Sequence, residues 1–457
     1  MKRLRTIDDF LDNEQREFAM SIIENRAIPS VIDGFKPVQR KIMHIASRLW
    51  ANGGKPMKVY QLGGQVSSLA MYVHGDASMN GSIIAMNQTF KNNLPLLDGV
   101  GQYGSLRVPC AGAPRYVGTI LSENFRRVYM DTELLENMVE EGVKVEPRFF
   151  LPIIPMILVN GTSGIAVGYS TNILNRSALD VCEACIAYLG GKKFGELVPS
   201  VEGFGGTCAR DADKPNKWRM RGAYVVGGNS VKVTELPPSL TFEKYEEYLN
   251  SLVAKKTILD YDNNSAGSVC YVLKFSGDVL KSYVESGTLD SLLKISSSET
   301  EIITTLDEKG KLKIFERAED IVPYFCDFRL KWYTKRKALR METLGKEIDT
   351  LSEKARFVKA IVERKLAVGN VPKREIVSAL ETMGFKKMQN SYEYLLSMPI
   401  LSLTREKYDE LTAARNKKES ELEKLSASTE KEMYLADLKS LRSYLLKKDS
   451  PKPAKAV

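Results

Sequence analysis

Apolar residues recur at helical spacing in the segment GFKPVQRKIMHIASRLWANG, which begins at Gly34. Its apolar face would consist of Val38, Ile42, Ile45 and Leu49. Pro37 suits the first turn of such a helix, and Gly53 lies just beyond its end. We expect a second helix over residues 65–72 and a third that follows Asp76, a residue suited to an N-cap position. Three short helices in this order predict a helix-turn-helix module of the winged kind.

The pattern changes between residues 149 and 321, where alternating apolar and polar positions predict strands. The strand-like runs are AYVVGG, SVKVTELP, SVCYVLKF and IITTLDEKGKLKIF. Helical segments such as FEKYEEYLNSLV separate them. The middle of the chain is therefore predicted to be a mixed α+β region.

A third pattern begins at Tyr324, where apolar residues are spaced alternately by three and four positions, as in a coiled-coil seam. The seam residues are Met341, Leu344, Ile348, Leu351, Ala355, Val358 and Val362. A helix over residues 326–362 would be roughly 55 Å long, at about 1.5 Å per residue. A second long helical stretch covers residues 404–448, with a seam that is interrupted near Arg415 and Lys418. The roughly 40 residues between the two stretches exceed a hairpin loop, so we expect a small helical knob there.

Length and composition indicate a multidomain globular protein. The chain has 457 residues, more than one hydrophobic core usually holds, so about two to four domains are expected. Hydrophobic residues make up 43% and charged residues 27%, as in soluble proteins. No apolar run approaches the roughly 20 residues that span a bilayer, and the N-terminus MKRLRTIDDFLDNEQ lacks an apolar signal core. We therefore expect a cytoplasmic protein without a membrane-spanning segment.

The positive charge is concentrated in one segment. The formal net charge is +9. Residues 25–59 contain seven basic side chains and one acidic side chain, Asp33. The basic residues are Arg26, Lys36, Arg40, Lys41, Arg48, Lys55 and Lys58. A solvated face could have this composition, but such concentration favours a polyanionic partner such as nucleic acid.

Two short motifs suggest cofactor or metal binding that their context does not support. Residues 99–104, GVGQYG, satisfy the dinucleotide pattern G-x-G-x-x-G, but SLRVPCAGAPRY follows instead of a helix. Residues 260–267, DYDNNSAG, resemble a calcium loop, but Ser265 replaces the required glycine and Tyr271 the bidentate glutamate. We therefore expect a turn at 260–267. The sequence also contains no P-loop motif, and we predict no metal ligand in this chain.

Cys182 and Cys185 form a C-x-x-C pair within the helical pattern ALDVCEACIAYL. No second pair follows at zinc spacing, and the two histidines, His44 and His74, are far away in the sequence. Buried structural thiols are therefore expected rather than a metal or redox site.

The segment GAPRYVG, residues 112–118, places a tyrosine in an unusual setting. Pro114 ends the preceding structure, glycines flank the segment, and Arg115 puts a fixed positive charge beside the phenol of Tyr116. Taken alone, these residues favour a tyrosine that caps a turn and packs on the surface.

Several blocks together resemble a known family. ENRAIPSVIDGFKPVQRKIMH resembles the opening of the breakage-reunion subunit of type IIA DNA topoisomerases, the gyrase A and topoisomerase IV A group. YVHGDASM, PLLDGVGQYGS, APRY and LPIIPMILVNGTSGIAVGYSTNI follow in the family's order, and the resemblance extends over nearly the whole chain. The wording ENRAIP and DGFKPVQR is closest to the medium subunit of T-even-type phage topoisomerases.

This resemblance implies a multidomain α+β fold. A winged-helix DNA-cleavage domain, an α/β tower domain and long antiparallel coiled-coil arms that end in a helical dimerisation gate are expected. The implied boundaries are an N-terminal arm at 1–21, the winged-helix domain at 22–148, the tower at 149–325, the first arm helix at 326–366, the exit-gate knob at 367–402, the second arm helix at 403–448 and a disordered tail at 449–457.

The resemblance also implies the functional residues. Tyr116 would be the nucleophile that forms a reversible phosphotyrosyl bond to DNA, and Arg115 would stabilise the developing negative charge. Arg26 and His74 would join them, although the chain has Tyr72 and Val73 where many relatives have His-Pro. The implied DNA contacts are Lys36, Arg40, Lys41 and His44, together with Ile165 as an apolar wedge between bases. Without the family, Ile165 would be assigned to the core.

The implied partners are double-stranded DNA, a second copy of the chain and a large subunit that carries the ATPase and the magnesium-binding acidic cluster. Neither the ATP-binding fold nor that cluster has a counterpart in this sequence, so ATP and Mg²⁺ are expected on the partner. The DNA-wrapping propeller of gyrase A also has no counterpart, which makes supercoiling by wrapping unexpected. A non-enzymatic DNA clamp is the alternative, but it would leave Tyr116 without a role.

Overall fold

The structure, a computed structural model, describes residues 7–369, 371–388, 390–399 and 403–449. Two compact units make up the described chain: residues up to 329 together with those from 437 onward form the first, and residues 330–436 form the second. The predicted N-terminal arm lies outside the described residues up to residue 6, and the predicted tail lies outside them from residue 450. Within the described ranges, no helix is both long and apolar enough to cross a membrane.

The first unit begins with helices that surround the basic segment. They are α1 (Ile7–Phe10), α2 (Arg16–Ile22), α3 (Pro37–Leu49), α4 (Val59–Leu69) and α5 (Asp76–Asn87), with π-helical stretches at Leu11–Gln15 and Ile23–Ala27. The prediction for α3 is confirmed, including Pro37 at its first position. However, α4 starts at Val59 rather than at residue 65, and Gly75 rather than Asp76 is the N-cap of α5. Asp76 lies in the first turn instead, where its charge suits the helix dipole.

The buried face of α3 differs from the predicted face. Ile42 and Ile45 are buried, but Leu49 is 37% exposed. Arg40 and His44, which the pattern assigns to the polar side, are buried as well. Apolar spacing therefore located the helix correctly and its buried face only in part.

A small antiparallel sheet follows the helices. Its strands are β1 (Met57–Lys58), β2 (Leu97–Val100) and β3 (Gly118–Leu121), in the order β1-β3-β2. Helix α6 (Glu123–Val128) and the hairpin of β4 (Asn137–Glu140) and β5 (Val143–Pro147) come next. No helix follows β2 in the described chain until α6, so the glycine pattern at 99–104 lies outside any dinucleotide-binding unit.

The middle of the chain is the predicted mixed region. Its helices are α7 (Met156–Asn160), α8 (Ala178–Leu189), α9 (Phe242–Ala254), α10 (Gly277–Glu285) and α11 (Leu289–Leu292). Its strands are β6 (Thr162–Ile165), β7 (Ser170–Ile173), β8 (Thr207–Arg210), β9 (Lys217–Arg221), β10 (Ala223–Gly227), β11 (Ser230–Glu235), β12 (Asp260–Asn263), β13 (Tyr271–Lys274), β14 (Ser296–Thr300), β15 (Ile303–Leu306) and β16 (Leu312–Phe315). They form sheets in the orders β10-β11-β13-β12 and β14-β9-β8, and the hairpins β6-β7 and β15-β16.

All four predicted strand runs of this region are confirmed. They correspond to β10, β11, β13 and the hairpin β15-β16, and the predicted helix corresponds to α9. The core of the four-stranded sheet contains Val231, Val233, Tyr245, Leu249 and Leu273. The expected turn at 260–267 is wrong for its first half, because residues 260–263 pair with β13 as an edge strand.

Two long helical stretches pass through the second unit. They are α12 (Ile321–Val362) and the pair α15 (Arg405–Ala427) and α16 (Glu430–Asp449). Within the unit, Tyr333 stacks on Tyr434 with ring centroids 4.6 Å apart, and Lys418 pairs with Glu347 at 2.9 Å. Higher residue numbers on α12 meet lower numbers on its partners, so the stretches run antiparallel. The second stretch is interrupted at Ser428, which has an extended backbone, and not near Arg415 and Lys418 as predicted.

A separate small core lies in the segment between α12 and α15. It includes α13 (Lys373–Thr382) and α14 (Glu393–Leu396). Leu380 and Leu395 are completely buried there and pack with Phe357 and Phe385. This segment corresponds to the helical knob that the sequence predicts.

Candidate functional site

Tyr116 lies on an exposed turn that directly precedes β3. The residue is 69% exposed. Its backbone N–H donates to the carbonyl of Ala113 at 2.8 Å, and the N–H of Tyr60 donates to the carbonyl of Pro114 at 3.2 Å. In the part of the chain that the structure describes, the phenol oxygen of Tyr116 makes no hydrogen bond. The backbone therefore fixes the turn, while the hydroxyl faces solvent and is accessible to a substrate.

Arg115 is exposed beside this tyrosine. The central carbon of its guanidinium lies 5.4 Å from the centroid of the Tyr116 ring. A guanidinium is charged at every physiological pH and presents several donors in a plane, which suits it to a phosphate. The turn thus presents a hydroxyl nucleophile and a fixed cation together.

Two other tyrosines near this sheet are placed differently. Tyr103 is buried, donates its hydroxyl to the carbonyl of Gly118 at 2.6 Å, and has its pKa raised by burial to about 12. Tyr129 is buried too, donates to the carbonyl of Asp33 at 2.7 Å, and has its pKa raised well above the ordinary value by burial. Neither hydroxyl can reach a polymeric substrate, so the geometry favours Tyr116.

A groove of about 1160 Å³ lies between the basic segment and the region that follows it. Five of the residues predicted from the sequence line it: Arg26, Lys36, Arg40, Lys41 and His74. Tyr116, Arg115, His44 and Ile165 do not line it. The groove also contains carboxylates, from Glu24, Glu140, Glu146 and Asp307. Within one chain, the structure therefore groups the predicted basic residues without the predicted nucleophile.

Arg26 and His74 are exposed on this groove. Arg26 lies in the π-helical stretch that ends at Ala27. The ring of His74 contacts the ring of Tyr72 edge-on, with centroids 5.3 Å apart. Both side chains are accessible to a ligand in the groove.

Lys36 and Lys41 are held by protein acceptors. Lys36 donates to the carbonyl of Ser163 at 2.6 Å, and partial burial lowers its pKa. Lys41 donates to the carbonyl of Ala70 at 2.7 Å and to the carboxylate of Glu146 at 3.1 Å, with Glu140 at 3.3 Å. A phosphate that binds Lys41 must therefore compete with two carboxylates.

Arg40 faces inward. Its Nε and Nη2 atoms donate to the two oxygens of Asp33 at 2.7 and 3.1 Å, and Nη2 also donates to the carbonyl of Phe35. The ion pair is almost completely buried, and Asp33 additionally accepts from the N–H of Phe150 at 3.1 Å. Arg40 thus ties α3 to the loops on both sides, and Nη1 is the part of its guanidinium for which we find no protein acceptor among the described residues.

His44 is not placed for the DNA contact that the sequence predicts. The side chain is buried on α3, and its Nε2 atom lies 3.4 Å from Nη1 of Arg48. Burial, together with the charges of Arg48 and Lys41, lowers its pKa to about 4. The imidazole is therefore neutral at physiological pH and contributes no positive charge to a DNA-binding surface.

Ile165 lies at the end of β6, in the hairpin that β6 forms with β7, and is 87% exposed. Its assignment to the core is therefore wrong. The hairpin packs closely on the chain next to Arg26: a side chain at Gly164 would approach the carbonyl of Ala27 to 2.3 Å. The exposed isoleucine is thus carried by a hairpin that is fixed to the basic groove by Lys36 and Gly164.

Several functional candidates were not found from the sequence. Arg148 and Lys309 add two cations to the groove, and Lys58 donates to the backbone carbonyl of Tyr116 at 2.7 Å. Arg148 and Lys309 lie in loops without periodicity or motif, so no signal marked them. Lys58 belongs to the counted basic segment, but its role depends on the pairing of β1 with β3.

The remaining sequence motifs contribute no cofactor or metal site. Cys182 and Cys185 are buried on α8, and burial raises the pKa of Cys182 to about 12. Such thiols are inert, as expected. Among the described residues, no group of three or more His, Cys, Asp or Glu side chains could hold a metal ion.

Comparison with known proteins gives concordant similarities. The family model that describes the gyrase A and topoisomerase IV A proteins (DNA gyrase/topoisomerase IV) matches residues 26–440. The chain is 33% identical to the mitochondrial DNA topoisomerase 2 of Dictyostelium discoideum over 97% of its own length and 35% of that relative. It is 31% identical to DNA topoisomerase 2-alpha of Gallus gallus over 95% of its length and 30% of that relative. The chain thus spans about a third of the length of these curated relatives.

The fold resembles a solved structure of similar description. The crystal structure of the Plasmodium falciparum topoisomerase II DNA-binding, cleavage and re-ligation domain superimposes with a TM-score of 0.85 and 31% sequence identity. The match covers 97% of this chain and 66% of that one.

Proposed function

The chain belongs to the gyrase A and topoisomerase IV A family, and from this premise we propose that it is the DNA-cleaving and rejoining subunit of an ATP-dependent type IIA DNA topoisomerase. It would make a transient double-strand break, let a second duplex pass and thereby relax or decatenate DNA. The observation that carries the proposal is Tyr116, whose phenol is exposed on a turn with a fixed backbone. A buried or loosely held tyrosine would not support it.

The proposed reaction is a reversible transesterification. The phenol oxygen of Tyr116 attacks a DNA phosphorus and loses its proton, the phenol–phosphorus bond forms, and the bond from phosphorus to the 3′ oxygen breaks as that oxygen takes up a proton. The 5′ end of the DNA is then attached to the protein. A phenol, with a pKa of about 10, is a better leaving group than an alkyl alcohol, so the DNA hydroxyl can reverse the step. Arg115 would stabilise the negative charge that develops on the phosphate oxygens.

The separation of Tyr116 from the groove supports a dimeric site. Arg26 and His74 are predicted to assist the reaction, yet they line a groove that Tyr116 does not line in the same chain. We infer that the groove of one copy receives the Tyr116 turn of the second copy, which would place nucleophile and cations on one phosphate. A two-fold symmetric dimer would form two such sites, one for each DNA strand.

The groove would hold the backbone of the cleaved duplex. Arg26, Lys36, Arg148 and Lys309 are its accessible or lining cations, and contacts to phosphate give affinity without reading sequence. Lys41 would contribute after exchange with Glu140, and Arg40 through Nη1, while its ion pair with Asp33 fixes α3. Ile165 would insert between bases as a wedge, since its exposed position on a fixed hairpin suits it to that role.

The proposed domains follow the predicted boundaries. Residues 22–148 would be the winged-helix domain and 149–325 the tower. The antiparallel helices of the second unit would be the coiled-coil arms, and the knob at 367–402 the dimerisation gate. The packed core around Leu380 and Leu395 supports a gate that is folded in each copy.

Magnesium and ATP would come from another polypeptide. Because the described residues offer no group of ligands for a metal ion, we derive no step of this chain's chemistry through Mg²⁺. The proposed partner is the large subunit that carries the ATPase and metal-binding domains, as in the T-even-type phage enzymes that the motifs resemble. The complex would act in the cytoplasm of the cell or of a viral host.

The decisive experiment is a test for a covalent adduct. The purified chain is mixed with supercoiled DNA and Mg²⁺, with and without the large subunit, and the reaction is stopped with detergent. We expect DNA-linked protein only when the large subunit is present, with the DNA on Tyr116. The chain alone should bind DNA, with an affinity that falls steeply as salt rises, but not relax it. DNA binding without any adduct in the complete mixture would favour the non-enzymatic clamp instead.

A further inference from the structure

The loop between β2 and β3, residues 101–117, carries Tyr116 near its end and is internally braced. Gln88, on the residue that follows α5, donates from its amide to the carbonyls of Tyr103 at 2.9 Å and Pro109 at 3.1 Å. Between these two points the chain forms a tight turn, in which the N–H of Ser105 donates to the carbonyl of Val108 at 2.8 Å. The tip of this turn projects Arg107 away from the sheet.

Arg107 is buried although it belongs to a loop, because its side chain enters a corner of the α/β region. The corner is the segment 235–242, which joins β11 to α9. The Nη1 atom donates to the carbonyls of Pro237 at 2.8 Å and Leu240 at 2.9 Å. The Nη2 atom donates to Glu235 Oε1 at 2.5 Å and to the carbonyl of Leu236.

The contact is reciprocal. The N–H of Phe242, the first residue of α9, donates to the backbone carbonyl of Arg107 at 3.1 Å. The guanidinium thus satisfies carbonyls of a helix entry that turn geometry leaves unpaired, and its own charge is compensated by Glu235. A lysine could not replace it, because one ammonium cannot reach acceptors on both sides of a planar fork.

We propose that Arg107 is a positioning residue for the cleavage reaction: it couples the corner 235–242 of the α/β region to the loop that presents Tyr116. Nine residues separate Arg107 from Tyr116, and the bonds of Gln88 make the intervening loop stiff. A displacement of the corner is therefore transmitted to the nucleophile. The proposal rests on the proposed role of Tyr116, because positioning has a catalytic consequence only if Tyr116 reacts.

The test compares Arg107→Lys with a matched control, Arg210→Lys, in the full chain. Arg210 lies on β8 in the same region, and its guanidinium also contacts carboxylates, those of Glu196 and Glu319, and a backbone carbonyl, that of Pro215, but it does not contact the Tyr116 loop. Glu235→Gln is the second variant, since it removes one charge while keeping the shape of the corner. Each variant is examined for folding by circular dichroism.

Two readouts are used. The first is the rate of adduct formation at saturating DNA, with Mg²⁺ and the large subunit, together with the Kd for DNA. We expect Arg107→Lys to slow adduct formation by about 10²-fold, the size of effect that a misplacement of roughly 1 Å produces, and to change the Kd less than about twofold. Glu235→Gln should slow it less, and Arg210→Lys less than about twofold. The second readout is hydrogen exchange of residues 101–117, which should accelerate in Arg107→Lys and not in Arg210→Lys.

The outcomes separate the two proposals. If the unchanged protein forms no adduct, the role of Tyr116 fails, and hydrogen exchange still shows whether Arg107 holds the loop. Equal adduct rates for Arg107→Lys and the unchanged protein, or equal losses in Arg107→Lys and Arg210→Lys, would overturn the coupling. If Arg107→Lys fails to fold, the decision passes to Glu235→Gln, for which unchanged adduct rate and unchanged loop exchange would be the negative result.

Discussion

The ammonium of Lys58 donates a hydrogen bond of 2.7 Å to the backbone carbonyl of Tyr116. This bond holds the main chain of the tyrosine and leaves its phenol unengaged. Because Lys58 is the last residue of β1, which pairs with β3, the contact fixes the Tyr116 turn to the sheet. The reactive group can therefore be changed without changing the turn that carries it.

Tyr116→Phe should abolish the covalent adduct and relaxation in the complete enzyme. The substitution removes one exposed oxygen and keeps the ring, so stability and DNA affinity should change little. Tyr60→Phe is the matched control, because Tyr60 is 63% exposed and adjoins the same turn through its backbone. Peptide mapping of the trapped adduct identifies the linked residue, and DNA attached to Tyr103 or Tyr129 would contradict the assignment.

Arg115→Ala should slow cleavage without abolishing it. The nucleophile remains, but a positioned cation is lost, which typically costs about 10²- to 10³-fold in rate. Arg115→Lys should recover part of the rate, because a point charge lacks the planar fork. Single-turnover cleavage measures both, with Arg219→Ala, an exposed arginine of β9, as the control. Identical rates for the Ala variant and the unchanged protein would exclude a role for Arg115.

Ile165→Ala should reduce DNA bending and cleavage more than DNA binding. Unstacking a base step costs a few kcal/mol, which extra contacts to a bent duplex offset, so the wedge affects shape more than affinity. Fluorescence energy transfer between the ends of a short duplex measures the bend. Val225→Ala, at a site that is 61% exposed on β10, is the control. A bend that survives Ile165→Ala unchanged would show that Ile165 is not the wedge.

A fragment of residues 326–448 should fold and self-associate. It contains the antiparallel helices and the knob, whose own core buries Leu380 and Leu395. We expect contact between copies through residues 367–401. Circular dichroism establishes folding, and sedimentation at tens of micromolar measures association. A folded monomer under these conditions would count against a gate at this place.

The burial of His44 predicts a loss of stability in mild acid. Its pKa is lowered to about 4 in the folded protein, below the ordinary value of about 6.5 in an unfolded chain. Between these values the unfolded state binds the proton more readily, so stability is complete above about pH 6.5 and falls as pH drops towards 4. The loss is on the order of 2 to 3 kcal/mol. Chemical denaturation from pH 7 to 4.5 should show a smaller decline for His44→Gln than for the unchanged protein, whereas His74→Gln, at an exposed site, should keep the full decline.

Local patterns were sufficient for much of the fold and for the nucleophile. Pro37 and the apolar spacing behind it located α3, and alternation located β10, β11 and β13, because backbone preference and burial agree in these segments. Tyr116 was identified because APRY occurs in order with four other family blocks. These features depend on residues that are close in the sequence, so the sequence displays them directly.

Other features depend on contacts between distant segments. Arg40 appeared to be a surface cation, but the buried Asp33 and Phe35 accept its donors and draw it inward. Ile165 appeared to be a core residue, but its hairpin packs on Ala27 through Gly164 and leaves the isoleucine outside. Helical or strand periodicity shows which residues share a face, but it does not show what lies opposite that face.

The same reason explains why Arg107 and the groove escaped sequence reasoning. Arg107 finds its acceptors about 130 residues further along the chain, at Glu235 and the carbonyls that follow it. The groove combines Arg26 with Arg148 and Lys309, which share no motif. The sequence thus determines the elements and the reacting tyrosine, whereas the folded chain alone determines which charges are neutralised inside it and which remain for DNA, since desolvation and pairing depend on neighbours in space.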